Sequence, residues 1–62
     1  MGKKYKVQQG NQFLGHYSAH SAEEAIAKAI DKQSEFYSID PNAPFDIKYG
    51  LNWQTVTVGG DL

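Results

Sequence analysis

The run from Tyr17 to Ile30, YSAHSAEEAIAKAI, constrains the fold more than any other part of the chain, because an alternating strand passes through a capping signal directly into an amphipathic helix. Ser21 carries the side chain of a helix N-cap: its hydroxyl can accept from the free amide three residues on, and Glu24 can reach back to the Ser21 amide. Ala22, Ala25, Ile26, Ala29, Ile30 and Gln33 then share one stripe at three- and four-residue spacing, with Glu23, Lys28, Asp31 and Lys32 outside it. Small alanines let such a helix lie close on a sheet, and Phe36 or Tyr37 is expected to close the stripe. Pro41 and Pro44 make Ser38 to Pro44 a loop, since each removes an amide donor and disfavours helix before it.

Upstream, Lys3 to Gln9 alternates, with Tyr5 and Val7 on one face and Lys4, Lys6 and Gln8 on the other. Gly10-Asn11 marks a turn, and Gln12 to Ala19 reads as a second strand with Phe13, Gly15, Tyr17 and Ala19 on one face against Leu14, His16 and Ser18. Two signals conflict here. A two-residue loop sets Val7 opposite Leu14 and leaves Phe13 and Tyr17 on the lysine face, whereas a three-residue loop sets Tyr5 opposite Tyr17 and gathers the aromatics. The second is preferred because it brings Ala19 under the helix, although turn chemistry alone selects the first. Phe45, Ile47 and Tyr49 alternate with Asp46 and Lys48 in a third strand, Gly50-Leu51 supplies a turn, and Trp53 to Val58 forms a β-branched fourth strand. The expected fold is α+β: a single domain over residues 1–62, a small antiparallel sheet in the order β-β-α-β-β with one helix packed on one face, and a frayed tail at 58–62.

A chain of 62 residues buries only about 60% of the surface its unfolded form exposes, so its stability must come from efficient packing. The absence of cysteine excludes disulfides and thiolate metal sites and favours a reducing compartment. No run approaches the roughly 18–20 apolar residues of a membrane span, and the lysines near the N-terminus lead into Gln8, Gln9, Asn11 and Gln12, not an apolar signal core. The expectation is a cytoplasmic protein of a host cell with no membrane partner. Formal net charge is −1 and all six basic residues are lysine, so the bidentate fork that arginine presents to phosphate or guanine is missing and nucleic acid is a disfavoured partner.

The residue types that carry chemistry elsewhere have plainer explanations in this chain. His16 and His20, the two imidazoles, stand roughly 13 Å apart at about 3.3 Å per extended residue, too far to share an ion. Ser21 beside His20 is accounted for as a cap, with no third orienting group. Asp40 and Asp46 flank the proline loop, where a carboxylate ordinarily starts a turn. Neither Gly59-Gly60 nor the glycines at 10 and 15 follow a strand and open a helix, as a phosphate cradle requires. A non-enzyme is expected, with no catalytic residue, cofactor or metal. Lys3, Lys4 and Lys6 around Tyr5 form the basic cluster, able to touch phosphates while Tyr5 or Tyr17 stacks a base; the plainer reading is a set of edge-strand lysines that discourage aggregation. Glu23, Glu24, Asp31 and Glu35 leave the outer side of the helix mildly acidic.

One helix covers one face of the sheet and leaves the other open, where some of the eight aromatic residues should lie. Trp53 or Tyr49, with Leu14 nearby, would anchor a protein partner there, and Tyr5, Lys4 and Lys6 complete the candidate contact set. Tyr17, Ala19, Ser21, Glu24, Ala25 and Ala29, preceded by the Tyr5-Lys6-Val7 strand, resemble the strand-to-helix unit of small phage and mobile-element proteins of the DpnD/PcfM-like type, and of the podophage inhibitors of host RNA polymerase. That resemblance covers about Lys3 to Ile30. It implies a non-enzymatic protein that docks on a host protein or complex and inhibits or redirects it, in host takeover or anti-defence. The lack of arginine and the long segment after Pro44 depart from the polymerase inhibitors, so no binding residue is transferred. The alternatives are a nucleic-acid-binding accessory protein that uses the N-terminal lysine and tyrosine strand, and a self-associating protein that buries its open face in a homodimer.

Overall fold

Two hairpins and a crossover helix build the domain, which the computed structural model describes over residues 2–58. Strand β1 (Lys3–Gln9) turns at Gly10-Asn11 into β2 (Gln12–Ala19), helix α1 (Ala22–Gln33) follows, and β3 (Phe45–Tyr49) turns into β4 (Asn52–Val56). All neighbours are antiparallel, and their order across the sheet is β2-β1-β3-β4. Strands β2 and β3 therefore run parallel with β1 between them. A tight turn cannot make that connection, and α1 makes it by crossing one face of the sheet. The expected α+β fold with one helix on an antiparallel sheet is the observed one.

The conflict between turn chemistry and side-chain phase in the first hairpin is resolved by a β-bulge. Gly10-Asn11 closes a two-residue loop with Gln9 opposite Gln12 and Gln8 opposite Phe13, and then the register slips so that Val7 faces Gly15 and Tyr5 faces Tyr17. Leu14 is the extra residue. A bulge puts two consecutive residues on one side of the strand, so the alternation inverts across it. Leu14 therefore joins Tyr17 and Ala19 in the core, while Phe13 moves to the opposite face beside His16. This corrects the expectation that Phe13 shares a face with Tyr17. Gly15 holds the bulge at φ 114°, a conformation strained for any residue with a Cβ, and an added Cβ would sit 3.1 Å from the Tyr17 hydroxyl. That hydroxyl donates to the Leu14 carbonyl and accepts from Gln33 Nε2 at 3.3 Å.

The core lies between α1 and the sheet. Val7, Phe45, Ile47, Ala25, Ile26 and Ala29 are wholly buried, and Tyr5, Leu14, Tyr17, Ala19 and Ala22 complete the cluster. At about 25 cal/mol per Å2 of apolar surface, this layer supplies the main stabilisation of the domain. Three buried alanines on one side of α1, Ala22, Ala25 and Ala29, let the helix lie close on the strands. Ser21 Oγ accepts from the Glu24 amide at 3.2 Å, as a cap should, but Glu24 Oε1 accepts from the His20 amide at 2.6 Å and not from Ser21. The stripe ends at Gln33, which bonds Tyr17. Phe36 is 76% exposed and Tyr37 39%, so neither closes it, and Ile39 packs on the core in their place.

The loop between α1 and β3 is pinned to the first hairpin. Gln9 makes a reciprocal pair with the Asp40 backbone, Nε2 to carbonyl at 2.8 Å and amide to Oε1 at 3.1 Å, and Gln12 Nε2 donates to the Ser38 carbonyl at 3.0 Å. Asp40 Oδ1 accepts from the Asn42 amide at 2.9 Å, the turn role expected of it. Val58 packs on the core; residues 59–62, the rest of the tail expected to fray, lie outside the described residues.

Candidate binding face

The sheet has a second face that α1 does not reach, and the strand registers state what stands on it. One rank crosses all four strands: His16 opposite Lys6, Lys6 opposite Lys48, and Lys48 opposite Trp53. The next rank reads Phe13, Gln8, Asp46, Thr55, and Lys4 stands opposite Ser18 beyond the first. Charged and aromatic side chains thus alternate with the apolar ones of the core face, as period two requires.

Cations hold the centre of this face and aromatic rings its flanks. Lys6 Nζ lies 5.4 Å from the Phe13 ring centroid and 5.5 Å from that of Trp53, and Lys48 Nζ lies 5.7 Å from the Trp53 centroid. Each such contact contributes on the order of 0.5–1 kcal/mol at an exposed site. Phe13 also meets the His16 ring edge-on at 5.4 Å. Lys4, Lys6, His16 and Lys48 line a shallow depression with Gly50 at its end. The one carboxylate in these ranks, Asp46, accepts from Thr55 Oγ1 at 3.3 Å. On the far side of the molecule, Glu23, Asp31 and Glu35 are exposed on or just beyond α1, interspersed with Lys28 and Lys32, so that surface is mixed in charge where the open face is mainly positive.

Of the residues expected to form a contact surface, Trp53, Lys4 and Lys6 stand together on this open face. The other three do not. Tyr49 has the same phase as Phe45 and Ile47, so it lies on the helix side at the rim, stacked against Tyr5 at 5.4 Å with Lys3 Nζ 5.3 Å above its ring. Tyr5 and Leu14 are buried under the helix, at 6% and 1% exposure, and Tyr17 with them; none can stack a base or meet a partner. The edge-strand explanation of the lysines also fails, because β1 is an interior strand. Lys6 stands in mid-sheet between His16 and Lys48, where a positive charge protects no edge, and Lys4 faces Ser18 just past the end of the β1–β3 pairing. Phe13, His16 and Lys48 complete the face: His16 stands on it as the alternation of β2 implies, whereas Phe13 is there against expectation and Lys48 is outside the expected contact set. The glycine at position 15 and the mismatch between turn and phase were the signals for Phe13, whereas Lys48 needed the strand order.

Among the described residues no charged side chain is buried, and no group of three or more His, Asp or Glu is placed to hold a metal ion. Among the described residues, Glu24 has its carboxyl held below the ordinary 4.5, chiefly by the His20 amide hydrogen bond, opposed by desolvation and aided by the charges of Lys28 and His20. It acts at the helix cap. No helix among the described residues is long and apolar enough to cross a membrane. Comparison of the chain with protein-family models, curated proteins and solved structures returns no significant match.

Proposed function

We propose that this is a non-enzymatic binding protein of the phage or mobile-element type, which docks through the open face of its sheet on an acidic surface of a larger host protein and so occludes or redirects it. The observation that carries this reading is the rank of His16, Lys6, Lys48 and Trp53 with Phe13 and Lys4 beside it: three lysines with one carboxylate, Asp46, among them, flanked by two half-exposed rings. Charges of one sign steer an oppositely charged partner and set its orientation, and a tryptophan at the border of the patch supplies the apolar anchor. With principal extents of 27 × 25 × 20 Å, one face of the molecule is clearly smaller than the ~800 Å2 a side of a standard interface, so a single copy makes a small, charge-dependent contact.

Trp53 is the sole tryptophan of the chain, so its fluorescence reports events on this face directly. Titration with polyglutamate should change that emission, and Lys6→Glu should abolish the change. A host protein captured by tagged wild type should be lost with Lys6→Glu and with Trp53→Ala, and kept with Glu23→Lys on the opposite surface. Capture that ignores the first two substitutions refutes docking through this face.

A second reading, single-stranded nucleic acid, rests on a separate detail: one ammonium, Lys6, lies between two aromatic rings that can each take a base while the cation meets the phosphate. With three lysines in contact, the logarithm of affinity for an oligothymidylate should fall with a slope of about −2 against the logarithm of salt. No Trp53 response to the oligonucleotide eliminates it.

A further inference from the structure

The sheet ends in two edges of opposite character. Along β2 the bulge at Leu14 breaks the flat run of backbone groups, the Tyr17 hydroxyl takes the Leu14 carbonyl, and Lys28 Nζ reaches from α1 to take the Ser18 carbonyl. That edge is guarded. Along β4, Asn52–Val56, there is no charge, no proline and no bulge; four of the five residues are exposed, and the strand's partners on β3 follow one another without a slip. Nothing among the described residues lies outside it in the sheet. An unguarded, regular, uncharged edge is a template for another strand, and monomeric proteins ordinarily blunt such edges.

We infer that β4 is a dimerisation edge, which pairs antiparallel with β4 of a second copy to give a continuous eight-stranded sheet. Its sequence is compatible with itself about a two-fold axis. In a register centred on Gln54, Trp53 meets Thr55 of the second copy, Asn52 meets Val56, and no like charges oppose one another. A second copy is favoured over a chain of copies because β2, the other edge, is closed to pairing, so self-pairing of β4 ends at two and cannot grow into a fibre. The axis stands perpendicular to the sheet, so the two open faces come to lie on the same side. The two Trp53 side chains then flank the axis with the Lys6 and Lys48 ranks outside them, and the small single face becomes one surface of double extent.

Sedimentation or light scattering should give a mass twice the 6.9 kDa of one chain, falling to one chain on dilution. Gln54→Lys sets two positive charges face to face across the axis and should yield a folded monomer, with the circular dichroism of the wild type. Gln54→Glu should do likewise. An equimolar mixture of the two variants should recover the dimer mass, because opposite charges now meet at the axis, and this recovery also shows that both variants are folded. A wild type that stays at single-chain mass at millimolar concentration overturns the inference. So does a dimer that persists in Gln54→Lys, or one that is instead dissolved by Glu23→Lys, which would place the contact between helix and sheet face.

Discussion

The two faces of this sheet are built from the same strands and obey different physics. On the helix side Val7, Leu14, Ile26, Phe45 and Ile47 are sealed from water, and each side chain there is held by its neighbours' volume. On the open side Lys6, Lys48, Phe13 and Trp53 touch one another through cation–π contacts that remain within reach of solvent. The first face contributes nearly all the stability and has no surface to offer a partner. The second contributes little to stability and holds the concentrated charge and the accessible rings. Period-two alternation lets one strand serve both without compromise: β1 sends Tyr5 and Val7 one way and Lys4, Lys6 and Gln8 the other.

The sharpest test of that division is Phe45→Ala. Phe45 is fully buried, and its truncation should cost about 3–5 kcal/mol, enough to unfold most of a domain this small, as read by chemical denaturation. Retention of a normal unfolding midpoint would show that the core face is not what holds the chain. Next in size is Gly15→Val. At φ 114°, with the Tyr17 hydroxyl 3.1 Å from a new Cβ, the substitution should destabilise by roughly 1–3 kcal/mol. The bulge sets which side of β2 faces the core, so the same variant should also disturb the Phe13 and His16 resonances on the open face; an effect confined to the core would separate the two faces more completely than the register implies.

A smaller effect concerns the helix cap that anchors the core layer. The Glu24 carboxyl titrates below its ordinary value because the charged form accepts from the His20 amide. A depressed carboxylate stabilises the fold at pH above its unfolded value of 4.5, and that contribution is lost as pH falls through the lower, folded value. The thermal midpoint should therefore decline on acidification through this window, and Glu24→Gln should flatten that part of the profile; an identical profile in the variant would remove Glu24 from the account. The smallest change is expected from Trp53→Ala on the open face, within about 0.5 kcal/mol of the wild type in stability. A larger loss would mean that Trp53 supports the fold as well as the face.

Local signals accounted for much of this molecule. Ser21 as the cap, the alanine stripe of α1, the proline loop, the turns at Gly10-Asn11 and Gly50-Leu51, and the alternation in β1 and β3 are all matched by the structure. They are legible because each depends on residues within a turn or two of one another. The face assignment of β2 was half legible: the turn and the tyrosine pairing each pointed to a true feature, but only a bulge satisfies both, and period two has no place for one.

The chain's own sequence determined that there are four short strands and one helix, that the helix lies on one side of an antiparallel sheet, and that the chain carries its positive charge on lysine alone. Which strands are interior was decided by the tertiary structure, since strand order depends on long-range pairing that no local pattern records. That order put Lys6 in mid-sheet beside Lys48, and left β4 at an edge of the sheet among the described residues. The same packing drew Tyr5 and Leu14 beneath α1 and sent Phe13 to join Trp53. A side chain's phase says only which side of its strand it occupies. Its neighbours, and hence what a surface can bind, are set when the strands are laid side by side.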